Sequence, residues 1–193
     1  MADRSTTMRA DAKQNRDAIL VTATAILTGS EDVDVSMNAI AKLAGVGNAT
    51  LHRNFPTRES LILAVYEHEV DRVVASAHEL LEDNAAPDAL RLWVARLAQY
   101  AMTKRGLAGA LQTASYSEDA HFADIYDAIS GALALLLSAA EVEGAITPGV
   151  DPHDVLLALA GLWQLSPEGD WKAQAERLFG IVYRGIGVDD SRR

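Results

Sequence analysis

Between Ser36 and Phe55 the chain reads SMNAIAKLAGVGNATLHRNF, two short helical patterns on either side of one glycine turn. Ser36 is a good N-cap, since its side-chain oxygen accepts from the free N–H groups that open a helix. Ile40, Ala41, Leu43 and Ala44 then supply an apolar face for packing on neighbouring helices. Gly45 ends that helix, because glycine reaches positive φ without steric cost, and Val46 plugs the angle to the next one. The second helix, about Asn48 to Asn54, sets Leu51 and Phe55 four apart on its buried side. Asn48, Ala49, Thr50, His52 and Arg53 are left mostly outward, and Pro56 stops the helix by pushing the residue before it out of helical geometry. Two helices meeting steeply across a glycine turn, the second with small and polar outward residues, suit a helix-turn-helix entering a DNA major groove.

The run AGVGNATLHRNFPTRESL, Ala44 to Leu61, resembles the TetR family of bacterial transcriptional regulators, whose usual form reads AGVGxGTLYRHFPxKExL. The resemblance is local, covering the first quarter to third of the chain, while the remainder is similar only in length and helical pattern. Three positions depart from the usual form: Ala49 for Gly, His52 for Tyr and Asn54 for His. In the family the Tyr and His positions are typically phosphate contacts, so the resemblance implies hydrogen bonds from His52 and Asn54 with a shorter reach at position 52. With Ser36, Lys42, Gly47, Asn48, Ala49, Thr50, Arg53 and Arg58 these residues form the expected DNA-binding set. Repression is the family's default outcome.

Net charge, −10, has the wrong sign for a phosphate binder taken whole. Its distribution removes the objection. Residues 1–60 hold seven basic and seven acidic side chains, whereas the rest holds ten and twenty, so the entire excess lies behind the helix-turn-helix. A modestly basic face remains for DNA, which excludes a strongly electrostatic, non-specific binder. There is no cysteine, and hence no disulfide or thiolate metal site. The polar N-terminus shows no secretion signal, so a cytoplasmic protein is expected. The longest apolar run, Ala132 to Leu137 with Ala139 and Ala140 behind it, is too short to span a bilayer, so no membrane partner is expected.

In chain order, Met1 to about Ala12 reads as a flexible arm, either a disordered start without a role or one whose Arg4 and Arg9 reach DNA phosphates or the minor groove. From Asn15 or Arg16 to Thr28, Ile19, Leu20, Ala23, Ile26 and Leu27 follow amphipathic spacing, with Gly29 as terminator and an acidic loop from Ser30 to Val35. Thr57 caps a long helix that runs to about Glu82 with Glu59 in its first turn and Arg58 free to face a phosphate. This helix joins the head to the body without a break, a stiff route for passing a two-state change. Pro87 opens a helix to about Lys104, Gly106 and Gly109 mark a break before a segment around Leu111, and another helix runs from Ser117 to about Glu143. Asp151 caps the next, with Pro152 first. Its run VLLALAGLWQL, Val155 to Leu165, is apolar all round, which predicts burial against both its own domain and a partner chain. The last helix places Trp171, Ala175, Leu178, Phe179, Val182 and Ile186 on one face.

The fold class is therefore all-α: an N-terminal three-helix head with its arm, residues 1–60, joined by a long helix to an effector-binding and dimerisation body, 61–193. The final two helices, about 152–165 and 168–187, form a four-helix bundle across a twofold axis. Aromatic residues with polar neighbours in the body (Trp93, Leu97, Tyr100, Gln112, Tyr116, Phe122, Tyr126 and Trp163) are the candidates for lining a small-molecule site, although aromatics at helical spacing are usually packing. No cofactor or metal is expected: His68 and His78 make no HExxH, and no nucleophile elbow or phosphate loop is present. Two readings are open. One is a homodimeric, ligand-responsive regulator, by default a repressor, on a palindromic double-stranded DNA operator; the other is an all-helical enzyme or binding module that keeps a helix-turn-helix-like head.

Overall fold

A computed structural model describes residues 2–29, 35–113 and 118–187, with side chains described at 12–27, 35–105, 107 and 123–187. Its α-helices are α1 (Ala2–Gly29), α2 (Met37–Leu43), α3 (Asn48–Asn54), α4 (Arg58–Asp83), α5 (Ala86–Thr113), α6 (Glu118–Val142), α7 (Pro152–Ala158) and α8 (Trp171–Ile186), with a 3-10 helix over Leu159–Gln164. No strand occurs among the described residues; Ile146 and Gly187 make one isolated antiparallel bridge. The all-α expectation is met. The chain separates into two compact units that part between His68 and Glu69, inside α4, and again between Met102 and Thr103, inside α5.

The first unit is built on α1 to α3 and the start of α4. Ile19, Leu20, Ala23 and Leu27 of α1 are buried, as are Ile40, Ala41, Leu51, Phe55, Leu61 and Val65. The guanidinium of Arg16 lies 4.7 Å from the centroid of the Phe55 ring, covering its face with a cation–π contact. At the start of α4, Thr57 and Ser60 cap each other: each backbone N–H donates to the other's side-chain oxygen at 3.2 Å. This is a capping box with serine at the third position. Glu59 beside it is held below the ordinary carboxylate value by its own backbone N–H, by Thr57 and by the charge of Arg58.

In the second unit Trp93 is fully buried, and its indole N–H donates to the carbonyl of Val73 at 3.0 Å, tying α5 to α4. Both oxygens of Glu143 accept from the N–H of Ala86, at 3.0 and 3.1 Å, so the end of α6 caps the start of α5. Gly144, at φ +71°, closes α6 with N–H bonds from Gly144 to Glu141 and from Ala145 to Ala140. By length and composition alone α6 is apolar enough to cross a membrane, with a mean hydropathy of 1.5 over Ala123–Val142. The run-length estimate from the sequence missed this. Here Ile129, Leu133, Leu136, Leu137 and Ala140 belong to the core, whereas Asp124, Asp127 and Glu141 are exposed, the division of a core helix.

Three sequence expectations need correction. The helix α1 begins at Ala2 and not near Asn15; no Gly or Pro interrupts residues 2–28, and Ala, Arg, Met, Lys and Gln are good helix formers. The helix α5 continues through Gly106 and Gly109 to Thr113. Two glycines cost about 1 kcal/mol each in a helix, and burial at Thr103 and Leu107 works against that penalty. Finally, the apolar run after Asp151 is not one α-helix: it tightens to 3-10 geometry at Leu159, whose side chain and that of Leu162 align at the three-residue repeat and are buried. The acidic loop over 30–34 lies outside the described residues.

Candidate nucleic-acid interface

The helix-turn-helix is specified by contacts within twenty residues. Ser36 takes extended geometry and its Oγ accepts from Ala39 N–H at 3.3 Å, starting α2. At the other end Gly45 sits at φ +70°, its N–H donating to Lys42 and that of Val46 to Ala41, the paired bonds of a Schellman motif. Gly47, extended at φ −72°, is the N-cap of α3 and offers no side-chain cap. At the end of α3, Phe55 swings to φ −137° before Pro56 and its ring is buried, as the proline requires.

On α3 the outer face carries Asn48, Ala49, His52 and Arg53, all exposed, beside exposed Gly47. Positions 48 and 52, and 49 and 53, are four apart and so stack along one side of the helix. Arg53 Nε donates to the Ala49 carbonyl at 3.0 Å, which lays the side chain along the helix surface. Lys42 is exposed on the last turn of α2, and Ser36 at its head is exposed with its O–H still able to donate. From Val35 to Arg58 the sequence has no carboxylate at all. Seven helical residues span about 10 Å, which fits a major groove about 12 Å wide.

Three expected contact residues are placed differently. Thr50 is half-buried and not fully outward. Asn54 is half-buried, and its Nδ2 donates to the Thr50 carbonyl at 2.8 Å, so it closes the last turn of α3. Arg58 is not free: its Nη1 donates to the carbonyl of Val35, fastening the segment before α2 to the start of α4. The reason is common to the last two. Orphan carbonyls at helix ends and in loops attract any nearby side-chain donor, and a motif shows no such partner.

The candidate ligand residues are scattered. Trp93, Leu97 and Tyr100 are fully buried in the core. Tyr126 is half-buried and stacks on His153 of α7, centroids 5.4 Å apart, while Trp163 is half-buried in the 3-10 helix. The side chains of Gln112 and Phe122, and Tyr116 altogether, lie outside the described residues. A cavity of about 440 Å³ lies between α5 and α8, lined among others by Val94, Ala95 and Ala98, which the sequence reading did not offer as ligand contacts. Among the described residues no group of three His, Cys, Asp or Glu side chains is placed to hold a metal ion.

Residues 85–188 match the family described as transcriptional regulator SbtR-like, C-terminal domain, and residues 20–65 match bacterial regulatory proteins, tetR family. The chain belongs to the TetR family. A TetR transcriptional regulator from Streptomyces coelicolor is 40% identical, with a TM-score of 0.78 over 89% of this chain and 98% of its own. A TetR regulatory protein from Mycobacterium vanbaalenii is 30% identical, with a TM-score of 0.76 over 94% and 99%. An HTH-type transcriptional regulator of Staphylococcus aureus (strain MRSA252) is 35% identical over 77 residues, 39% of this chain; the match spans about two fifths of that relative's length, 40%. The resemblance in the run Ala44–Leu61 thus extends over about nine tenths of the chain, 89% and 94% in the two solved structures. TetR-family regulators bind DNA and act as dimers, and this protein is a TetR-family transcriptional regulator with a helix-turn-helix head and a helical body.

Proposed function

We propose that this TetR-family protein is a repressor that holds a palindromic operator as a homodimer and releases it when a small molecule occupies the body. The division of labour is residues 1–60 for DNA and 61–193 for effector binding and dimerisation, in the cytoplasm. One observation carries the DNA contact: the exposed edge of α3, Gly47 to Arg53, lies in a stretch without a single carboxylate. Within it Asn48 and Arg53 are the base readers and Ser36, Lys42, His52 and the α3 backbone contact phosphate. Half-buried Thr50, Asn54 and Arg58 act by fixing the angle at which α3 enters.

For the dimer, support comes from apolar side chains that one chain leaves bare. Leu157 on α7 is 73% exposed and Ile181 on α8 is 61% exposed, against 4% and 5% for Val155 and Leu156 on the inner side of α7. A twofold partner covers them through about 152–165 and 168–187, and sets two heads one helical turn of DNA apart, roughly 34 Å. Release needs only that the ligand binds better to the head spacing the operator does not match, with α4 as the connector.

Selection of duplexes from a random pool tests this reading. A palindromic consensus is expected; Arg53→Ala should weaken binding to it by about 1–3 kcal/mol and relax specificity at the base it reads, whereas Lys42→Ala should weaken all sequences alike and lower the salt slope by roughly one per head. Failure to enrich any sequence, or an Arg53→Ala protein that selects and binds as the parent does, refutes the assignment.

A further inference from the structure

The cavity between α5 and α8 belongs to neither the DNA edge nor the aromatic cluster. At about 100° per residue, Ala95 and Ala98 project about 100° or more away from Trp93, Leu97 and Tyr100, with Val94 on the flank between the two sets. Its volume, about 440 Å³, is in the range of small-ligand sites, roughly 300–1,000 Å³. It exists because small side chains meet there: Ala95 and Ala98 on α5 face Ala173 and Ala175 on α8. Trp171 and Phe179 wall it, the first half-buried and the second 6% exposed. A cleft lined by small alanines and by two aromatic rings about two turns apart on α8 admits a flat apolar body.

The rim decides the other end of the ligand. Arg91 reaches the mouth from α5, bound to its neighbours only by long contacts, 3.5 Å to Glu176 and 3.9 Å to Asp88, with all three side chains about half exposed or more. Charge-assisted pairs that hold firmly are nearer 2.8 Å, and exposed ones contribute little. A guanidinium so weakly held is ready to turn its fork to a ligand carboxylate while Glu176 moves into water. On the facing wall Lys172 lies 5.5 Å from the Trp171 ring centroid, a second cation at the same mouth. The rim's other anion, Asp170, is committed: its Oδ1 accepts from Ala173 N–H at the start of α8.

We propose that the α5–α8 cleft binds compact aromatic acids, rings against Trp171 and Phe179 and carboxylate on Arg91. This goes beyond the operator reading and does not rest on it, because the test contains no DNA. Calorimetric titration of the full chain with 2-naphthoate, and with the isosteric but neutral 2-naphthamide, separates charge from shape. Naphthoate is expected to bind saturably below about 1 mM. The substitution R91A should weaken naphthoate about tenfold or more and leave naphthamide unchanged. Filling the mouth with A95W, at an exposed position, should abolish both, and A173W is the second blocker if that variant folds poorly. Absence of saturable naphthoate binding, equal loss of both ligands in R91A, or undiminished binding in a folded blocked variant overturns the proposal.

Discussion

Gly45 offers a clean separation of backbone from packing. Its φ of +70° is the left-handed region, and a Cβ built there meets no heavy atom within 4 Å. Gly45→Ala therefore causes no clash, and its whole cost is the left-handed penalty of a residue with a Cβ, about 1 kcal/mol. That is a factor of about five in the folded-to-unfolded ratio, and for a chain of 193 residues a melting point lower by roughly 2–4 °C. Gly45→Asn should cost less, since asparagine visits this region more readily, and Gly45→Val more. Gly47 supplies the control: with φ −72° and nothing within 4 Å, Gly47→Ser faces no conformational penalty, adds the cap that α3 lacks, and should stabilise by a few tenths of a kcal/mol. Urea denaturation of the four variants measures all of this. If Gly45→Ala costs nothing, or costs 3 kcal/mol or more, the turn is not held by the Schellman bonds in the way described, and equal losses for Asn and Val at this position sink the conformational explanation.

Trp93→Phe should lose about 2–3 kcal/mol, combining a cavity with a broken bond to Val73, whereas Ser76→Ala, whose Oγ donates to the same carbonyl at 2.8 Å, should lose less than half of that in the same denaturation assay. Leu157→Glu should leave the melt of the isolated chain's fold intact and halve the mass seen by light scattering; an unchanged dimer places the interface elsewhere. Glu59 has a depressed folded-state pKa, so its contribution is present above the ordinary value of 4.5 and is lost as pH falls below that through the folded value. Glu59→Gln should therefore flatten the acid limb of the melting-point profile, and an unaltered limb means that Glu59 plays no part in it.

The head was legible because its signals are local. Ser36, Gly45 and Pro56 each act within a few residues of themselves, so reading them in order gives α2, the turn and α3 with correct ends. The body was less so wherever a distant partner decided the outcome. Gly106 and Gly109 argue for a break until the burial of Leu107 is known, and no pattern around Glu143 announces that it caps Ala86, 57 residues away. Arg58 and Asn54 stand at contact positions of a DNA-binding motif, yet each has a backbone carbonyl within reach. The α5–α8 cleft left no periodic trace, since it arises from what alanines at 95, 98, 173 and 175 fail to fill. Absent volume is seen only when two helices from different parts of the chain are brought together.

Charge then decides what kind of DNA binder this is. The α2–α3 edge presents two exposed full cations, Lys42 and Arg53, which makes four in a dimer. Each phosphate neutralised contributes about 0.9 to the slope of log affinity against log salt, so the dimer should show a slope between about −1.8, with Lys42 alone on phosphate, and about −3.6, with Arg53 also counted. Fewer than three decades of affinity are then lost between 50 and 200 mM salt, far from the behaviour of a strongly basic repressor. The twenty acids beyond residue 60 repel DNA that approaches any other face, which leaves the carboxylate-free edge as the favoured approach. In the proposed contact, affinity comes from hydrogen bonds at Asn48 and Arg53 and from linking two heads, since one head alone has too little charge. A measured slope of −8 or steeper would mean that the four basic residues before Asp17 (Arg4, Arg9, Lys13 and Arg16) dominate the contact, and the α3 edge would lose its place as the main electrostatic surface.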